Sequence, residues 1–329
     1  MKEEELLGHA ARRYGIEREA IRKFGGFENL VYRFDRDGKP YYLRVTHESR
    51  RSVSEMEAEL HWLHDLAEQG VSVAGPVRSE FGRWLETIET EQGTFLLSVF
   101  EEAKGVRVDA HHSAWGAELF AEWGFVTGRM HACARDYEPP AGMPKRMGYE
   151  MNIFRSQPIP DHLPAASIIR ERLLAIEEQI GKLPKPSGQY GMSHRDLHHG
   201  NFHVYDGKIT AFDFDDCGYD FFIQDIAMAV YYASIMPDWH APVSDIALAS
   251  DHANRFLESF MRGYERAYSP DQASMKLLPL FVEKRRLELA MILLEPWGGA
   301  VQRNELKREW VERNVDSIRH GEPCMRLDI

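Results

Sequence analysis

The residues best suited to chemistry lie in one stretch, residues 191–215. Asp196 is followed five positions later by Asn201, and Asp213 comes after the apolar strand pattern 209–212. Phosphoryl transfer from a magnesium nucleotide needs this set: one carboxylate orients the acceptor hydroxyl, while an amide and a second carboxylate bind the metal. The spacing therefore predicts Asp196 as the catalytic residue, with Asn201 and Asp213 as metal ligands.

Length and composition limit the class of protein. The 329 residues are enough for two domains or lobes, and a net charge of -12 disfavours nucleic acid or an anionic membrane as partner. Three cysteines without paired spacing indicate a reducing compartment, and no apolar run approaches membrane-spanning length. We therefore expect a cytoplasmic protein without a membrane partner. The sequence does not predict an oligomeric state.

The first third of the chain has the pattern of a small α+β lobe. Residues 3–14 have helical periodicity, and residues 24–100 contain two hairpins of alternating apolar residues. Ser52 and Glu55 form a capping-box pattern that opens one long helix between the hairpins. These elements predict a mostly antiparallel sheet with one inserted helix.

The remainder of the chain is mainly helical by pattern. Ser113 is suited to cap a helix that runs to about Ala134, and residues 165–182, 246–267, 274–295 and 303–318 continue the helical periodicity. Residues 191–215 form the one hairpin with catalytic residues in this part. We therefore predict an N-terminal lobe of residues 1–102 and a C-terminal helical lobe of residues 103–329.

The catalytic stretch resembles a known family. The segment His194-Arg-Asp-Leu-His-His-Gly-Asn201, followed by Phe212-Asp-Phe-Asp215, is similar to the catalytic and metal-binding loops of the protein-kinase-like superfamily. His198, two residues after the aspartate, resembles the aminoglycoside phosphotransferase/choline kinase branch in particular. The resemblance implies a bilobal kinase-like fold with the active site between the lobes. It also implies ATP and Mg²⁺ as cofactors and a hydroxyl of a small molecule as phosphate acceptor.

The same resemblance extends over roughly residues 20–270 and assigns further positions. It implies that Asp225 supports the catalytic loop through backbone hydrogen bonds. Its nucleotide-binding assignments are Gly25, Gly26 and Asn29 in the turn that covers the nucleotide, Arg44 as the phosphate-binding strand residue, Glu59 as its helix partner, and Val99 and Glu101 in the hinge that contacts adenine.

Two departures from the family pattern leave alternatives open. Arg44 stands where lysine is more usual, and a planar guanidinium is not a geometric substitute for an ammonium group. This departure favours, as an alternative, a pseudokinase or regulatory nucleotide-binding protein. Arg195 resembles protein kinases, so a kinase that acts on a protein serine or threonine is the second alternative.

Other polar residues were open to more than one interpretation. Four histidines in ten residues could form a transition-metal site with Asp196, although Gly200 interrupts any helix there. Asp215 could bind a second metal or shape the pocket. For the acceptor, charge alone suggests three carboxylates: Asp220, Glu265 and Glu295.

Overall fold

The structure is a computed structural model that describes residues 3–25, 29–146, 164–294 and 305–329. The chain divides into two compact units. The first unit comprises Met1–Gly105, Glu138–Arg146 and Thr210–Asp215, and the second unit comprises the remainder. The sequence predicted lobes of 1–102 and 103–329, whereas the first unit also takes in two later segments. Gly26, a predicted nucleotide-binding residue, lies outside the described residues.

The first unit is an antiparallel sheet with two helices. The sheet order is β1-β2-β3-β6-β4, and β5 pairs with β6 as well. The elements are α1 (Glu3–Tyr14), β1 (Arg22–Gly25), β2 (Leu30–Arg36), β3 (Lys39–His47), α2 (Val53–Glu68), β4 (Pro76–Val77), β5 (Leu85–Thr90) and β6 (Gly93–Glu101).

The two faces of this sheet pack against different helices because strand side chains alternate. Leu43 and Leu97 belong to a core cluster with residues of α1, and the Tyr14 hydroxyl donates to the Leu97 carbonyl at 2.9 Å. Leu96, the neighbour of Leu97, packs instead with Leu60 of α2. The opening helix thus covers the face that α2 leaves open.

The start of α2 agrees with the capping-box prediction. The Ser52 side chain accepts from the Glu55 amide at 3.3 Å, and the Ser52 amide donates to Glu55 Oε2 at 2.8 Å. Two amides that helix geometry leaves unpaired are therefore satisfied. This cap fixes the first turn of the helix that carries Glu59.

The second unit is mainly helical, with short strands. The elements from residue 106 onward are α3 (Ala117–Asp136), α4 (Pro164–Gly181), β7 (Tyr190–Ser193), β8 (Phe202–Tyr205), β9 (Lys208–Ala211), β10 (Gly218–Phe221), α5 (Phe222–Ile235), α6 (Ile246–Tyr264), α7 (Gln272–Met275), α8 (Leu278–Leu294) and α9 (Glu305–His320). The last two residues of β9 belong to the first unit. Strand β7 pairs antiparallel with β10, and β8 pairs with β9. Within the described residues, no helix has the length and apolar character needed to span a membrane.

The predicted cap at Ser113 is wrong. Helix α3 begins at Ala117, and Gly116 is its N-cap residue without a side-chain cap. The preceding segment forms turns instead, because His112 Nδ1 accepts from the Ala114 amide at 3.1 Å and the His112 carbonyl accepts from the Trp115 amide at 2.9 Å. Local turns therefore use the residues that the pattern assigned to the helix start.

Helices α3 and α6 approach each other through glycines. A Cβ atom at Gly263 would lie 1.7 Å from the Ala121 carbonyl oxygen, and one at Gly124 would lie 1.9 Å from the Phe260 carbonyl oxygen. Both distances are far inside van der Waals contact, and the obstructing atoms are backbone. Only glycine permits this approach, which sets the crossing of the two helices.

Replacement of Gly263 by alanine is expected to lower the free energy of unfolding by about 3 kcal/mol, because the helices must separate to admit one methyl group. Urea unfolding of the purified variant measures the change. Gly8→Ala on α1 is the matched control, since its Cβ would meet nothing closer than 3.9 Å. That control should gain up to about 1 kcal/mol from helix propensity. Equal stability of Gly263→Ala and the wild type would contradict the packing argument.

Candidate active site

The catalytic loop follows β7 and is held in a strained conformation. Arg195 has a φ of 67°, a left-handed backbone that costs a non-glycine residue about 1–2 kcal/mol. The amides of His194 and Arg195 donate to the Asp225 carboxylate at 3.0 and 2.7 Å, which offsets this cost. The predicted backbone support of the loop by Asp225 is thereby confirmed.

Asp225 is itself fixed by a buried chain of hydrogen bonds. His131 Nε2 lies 3.0 Å from Asp225 Oδ2, and His131 Nδ1 lies 2.7 Å from the Tyr264 hydroxyl. The imidazole also stacks on Phe222 with ring centroids 4.3 Å apart. Burial raises the pKa of Asp225, but hydrogen bonds and the charge of His131 outweigh it and lower the pKa overall. The loop therefore rests on an ionised carboxylate.

The two oxygens of Asp196 have different surroundings. Oδ2 accepts from Asn201 Nδ2 at 3.0 Å and lies 3.4 Å from His198 Nε2, whereas Oδ1 lies 3.5 Å from Arg285 Nη2. The side chain is 25% exposed, so a ligand can reach it. Burial raises the pKa of Asp196, but His198 and Arg285 outweigh burial and lower it to about 2. The carboxylate is therefore ionised and ready to accept a hydroxyl hydrogen bond.

The predicted metal ligands belong to different units. Asn201 lies in the second unit, where its Nδ2 donates to the Asp196 carbonyl at 2.9 Å as well as to the carboxylate. Asp213 lies in the first unit with a φ of 64°, another left-handed backbone at a non-glycine residue. Metal binding by these residues stays a prediction.

In the first unit, Arg44 and Glu59 form a buried ion pair. Arg44 Nη2 lies 2.9 Å from Glu59 Oε2, and Glu59 is fully buried. Burial lowers the pKa of Arg44, yet the charges of Glu59, Asp215 and Asp213 outweigh it and raise the pKa. The predicted pairing is confirmed. The pair is buried because α2 presents a carboxylate to this face of the sheet.

Asp215 is surrounded by cations and an amide in the same unit. Arg50 Nη2 is in close contact with Oδ2, Arg51 Nε lies 3.4 Å from Oδ1, and Asn29 Nδ2 lies 3.5 Å from Oδ2. Burial raises the pKa of Asp215, but Arg44 and the other two arginines outweigh burial and lower it strongly. Asn29 also accepts from Thr46 Oγ1 at 2.8 Å, so it links β3 to this cluster.

The other predicted nucleotide-binding residues lie on strands β1 and β6 of the sheet. Val99 lies inside the sheet, paired with Leu43 on one side and Val77 on the other, so its backbone groups face neighbouring strands. Glu101 ends β6, and its amide donates to the Gly75 carbonyl at 2.9 Å. Gly25 ends β1, where a bulge shifts the pairing with β2. Nucleotide binding by these residues stays a prediction.

Arg195 has a structural partner that the sequence did not indicate. Its Nε donates to Asp220 Oδ2 at 3.1 Å, and Asp220 is fully buried. This contact accounts for the arginine without any peptide substrate. It also takes Asp220 out of solvent, while Glu295, another acceptor candidate, lies outside the described residues.

The histidines of the catalytic loop face aromatic rings. His199 is 2% exposed, stacks on Trp239 with centroids 4.8 Å apart, and lies 5.4 Å from the ring of Trp115. Within the described residues, neither nitrogen of His199 has a hydrogen-bond partner, and burial lowers its pKa to about 3. The part of the chain that the structure describes contains no group of three or more acidic, histidine or cysteine residues arranged for a metal.

Sequence reasoning missed several residues of the site. Arg285 lies beside Asp196 although 89 residues separate them in the chain. A weak signal exists, because Lys284, Arg285 and Arg286 are consecutive on α8 and cannot all face the same side of the helix. His131 gave no signal at all, since a single histidine in an apolar helix is not diagnostic.

Comparisons with known proteins give the family of this chain. A sequence model described as "Phosphotransferase enzyme family" matches residues 20–278. The amicoumacin kinase of Bacillus subtilis (strain 168) is 36% identical over 328 residues, covering 99% of this chain and 95% of that protein.

Solved structures show the same fold. An amicoumacin kinase in complex with AMP-PNP, Ca²⁺ and Ami is 30% identical, with a TM-score of 0.86 and coverage of 100% of this chain and 96% of that one. A microcompartment-associated aminopropanol kinase has a TM-score of 0.68 at 21% identity and covers 95% of this chain and 98% of that one, which indicates the fold alone. The predicted α+β kinase-like fold is confirmed. The chain belongs to the phosphotransferase enzyme family and is a small-molecule kinase.

Proposed function

We propose that this protein transfers the γ-phosphate of ATP, in the presence of Mg²⁺, to a hydroxyl group of an amicoumacin-type small molecule. The observation that carries the proposal is the geometry of the Asp196 carboxylate, which accepts a hydrogen bond from Asn201 and is still open to a ligand. Similarity to an amicoumacin kinase over nearly the whole length supports the acceptor, and the AMP-PNP and Ca²⁺ of the related structure support a nucleotide and a divalent metal.

The chemistry follows from the proposed roles. The acceptor oxygen forms a bond to the γ-phosphorus, the bond from phosphorus to the β,γ-bridging oxygen breaks, and ADP leaves. Asp196 accepts the hydroxyl proton late in transfer. With a pKa of about 2, Asp196 is a weak base, so its main task is to orient the hydroxyl oxygen toward phosphorus.

The donor atoms fit a magnesium ion. Asn201 uses its amide nitrogen for Asp196, which leaves the amide oxygen for a metal, and Asp213 offers an anionic carboxylate. Mg²⁺ prefers oxygen donors of this kind and would neutralise phosphate charge. Arg44, held by Glu59, is proposed to bind the phosphates that are not transferred.

The regulatory alternative is less well supported than the kinase. Its motivation was arginine in place of the usual lysine, and the structure shows that this arginine makes the expected pair with Glu59. A protein substrate is likewise less well supported, because Arg195 pairs with a buried aspartate of its own unit.

The test is a phosphotransfer assay with purified protein, radiolabelled ATP and Mg²⁺, on amicoumacin, aminopropanol and choline. We expect label in amicoumacin, dependence on the divalent metal, and a mass increase of one phosphoryl group in the product. Nucleotide binding that is independent of metal, together with no transfer to any acceptor, would instead favour the regulatory protein.

A further inference from the structure

Arg285 on α8 has no role in the reaction as described so far, although it contacts the catalytic carboxylate. Its Nη2 lies 3.5 Å from Asp196 Oδ1 and also donates to the Tyr232 hydroxyl in close contact. The guanidinium carbon lies 5.1 Å from the centroid of the Tyr232 ring, so this ring fixes the plane of the group. The side chain is only 11% exposed.

Among the described residues, most of the hydrogen-bonding capacity of Arg285 is unused. A guanidinium carries five N–H donors, and both hydrogen bonds of Arg285 come from Nη2. Nη1 lies 3.8 Å from Glu288 Oε2, beyond hydrogen-bond distance, and Nε is buried without a partner among the described residues. Unpaired donors in a buried site are unfavourable, so a ligand atom that accepts from this guanidinium would be bound tightly.

The charges around Arg285 favour a neutral oxygen as the ligand atom that accepts from its guanidinium. The positive charge of Arg285 faces two carboxylates, Asp196 and Glu288, and Glu288 is in turn paired with Lys284 at 3.0 Å. A further carboxylate on the ligand would be repelled by Asp196 across a short distance in a partly desolvated site. A carbonyl oxygen accepts hydrogen bonds without adding this charge.

The two Asp196 oxygens have different neighbours, and this difference places the Arg285 guanidinium next to the reacting hydroxyl. Asn201 and His198 face Oδ2, so Oδ1 is the oxygen left to receive the acceptor hydroxyl. Arg285 is the residue beside Oδ1. A hydroxyl bound at Oδ1 therefore brings the substituent on its neighbouring carbon to the guanidinium.

We propose that Arg285 is an acceptor-binding residue that hydrogen-bonds a carbonyl oxygen on the carbon adjacent to the phosphorylated hydroxyl. The acceptor class is then 2-hydroxy carbonyl compounds, with neutral 2-hydroxy amides favoured over 2-hydroxy acids. The inference rests on the proposed phosphotransfer at Asp196. It gives the specificity of the site, which the catalytic loop alone does not determine.

A structural role for the same arginine predicts a different behaviour. If Arg285 only held Asp196 in place, its loss would lower kcat for every acceptor by the same factor. If it binds the carbonyl, its loss lowers kcat/KM more for carbonyl-bearing acceptors than for the others. A comparison of two acceptors with the same hydroxyl separates these cases.

The first experiment uses the wild-type protein and two neutral acceptors. One is an N-alkyl 2-hydroxy amide, and the other is the ether in which a CH2–O unit replaces the C(=O)–NH unit. We expect kcat/KM to be about 10- to 100-fold higher for the amide, the factor that a hydrogen bond to a charged donor provides. Equal kcat/KM for both acceptors would overturn the inference but leave the phosphotransferase intact, whereas absence of transfer to either, and to amicoumacin, would overturn the proposed function.

The second experiment repeats the comparison with Arg285→Gln and Arg285→Lys. We expect the amide-to-ether ratio of kcat/KM to fall at least about tenfold in Arg285→Gln, whatever loss of kcat the two acceptors share, so that the preference disappears. Arg285→Lys should retain part of the preference because it keeps a charged donor. Arg255→Gln, which removes the same charge from an exposed position on α6, is the matched control and should behave as wild type. An equal fall in kcat for both acceptors, with the preference retained, would show that Arg285 acts only through Asp196.

Discussion

Replacement of Asp196 by asparagine is expected to lower kcat by about 10²- to 10⁴-fold, the usual contribution of a positioned proton acceptor. The variant keeps the shape of the side chain but loses the charge that orients the acceptor hydroxyl. Either the amide nitrogen or the amide oxygen of the new asparagine must also face Arg285. Arg285 then lacks its nearest anion. Steady-state kinetics with amicoumacin and ATP measure the effect, and KM for ATP should change little because nucleotide contacts are assigned to other residues.

Asp206→Asn is the matched control for this substitution. Asp206 lies in the exposed turn between β8 and β9 with a φ of 49°, a conformation that asparagine also tolerates. The control should retain wild-type kcat and melting temperature. Full activity of Asp196→Asn with a confirmed acceptor would remove Asp196 from the mechanism.

The pH profile provides an independent check on the same carboxylate. Burial raises the pKa of Asp196, but His198 and Arg285 outweigh it and hold the pKa at about 2. The group is therefore ionised from about pH 5 upward, and kcat/KM should show no loss from its protonation in that range. In Arg285→Gln a guanidinium that lowers the pKa of Asp196 is gone, so any loss on the acid side should move to higher pH.

The sequence predicted the parts of the site that depend on local spacing. Asp196 and Asn201 are five residues apart, and one loop conformation brings the amide of one to the carboxylate of the other. Arg44 and Glu59 are separated by fifteen residues, and the family resemblance, rather than strand alternation or the helix stripe, implied their pairing. Short separations leave few ways to place the side chains.

The residues that sequence reasoning missed depend on tertiary packing. Arg285 reaches Asp196 from a helix that is distant in the chain, and no periodicity indicates which side of α8 faces the loop. The turn that delays the start of α3 depends on His112, a local competitor that the helical pattern does not reveal. The close crossing at Gly263 likewise has no signal in a single sequence, since glycine inside a helix usually indicates only a weak position.

The supporting network explains how these distant elements fix the loop. Tyr264 on α6, His131 on α3 and Asp225 on α5 form one buried chain of hydrogen bonds that ends at two loop amides. Three helices thereby converge on the strained peptide at Arg195. The strain is tolerated because the carboxylate accepts from both amides at once, which no neutral side chain in that position can do equally well.

Asp225→Asn is therefore expected to affect both stability and catalysis. One amide hydrogen of asparagine must face a donor, either a loop amide or His131 Nε2, so at least one buried hydrogen bond becomes a repulsive contact. Breaking a buried charged network by changing one partner costs about 3–5 kcal/mol of the free energy of unfolding. The freed loop should also misplace Asp196, and a displacement of about 1 Å is enough to lower kcat about 10²-fold.

The comparison with Tyr264→Phe separates this effect from general loss of packing. That variant removes only the hydroxyl 2.7 Å from His131 Nδ1 and keeps the buried ring, so about 1 kcal/mol of stability and little activity should be lost. Urea unfolding gives the stabilities, and kcat is measured at a temperature where both variants are folded. If Asp225→Asn loses stability but keeps wild-type kcat while folded, the carboxylate supports the helices without positioning the loop. A fall in kcat that persists in the folded variant means that the strained peptide at Arg195 needs this anion to hold Asp196 at the acceptor.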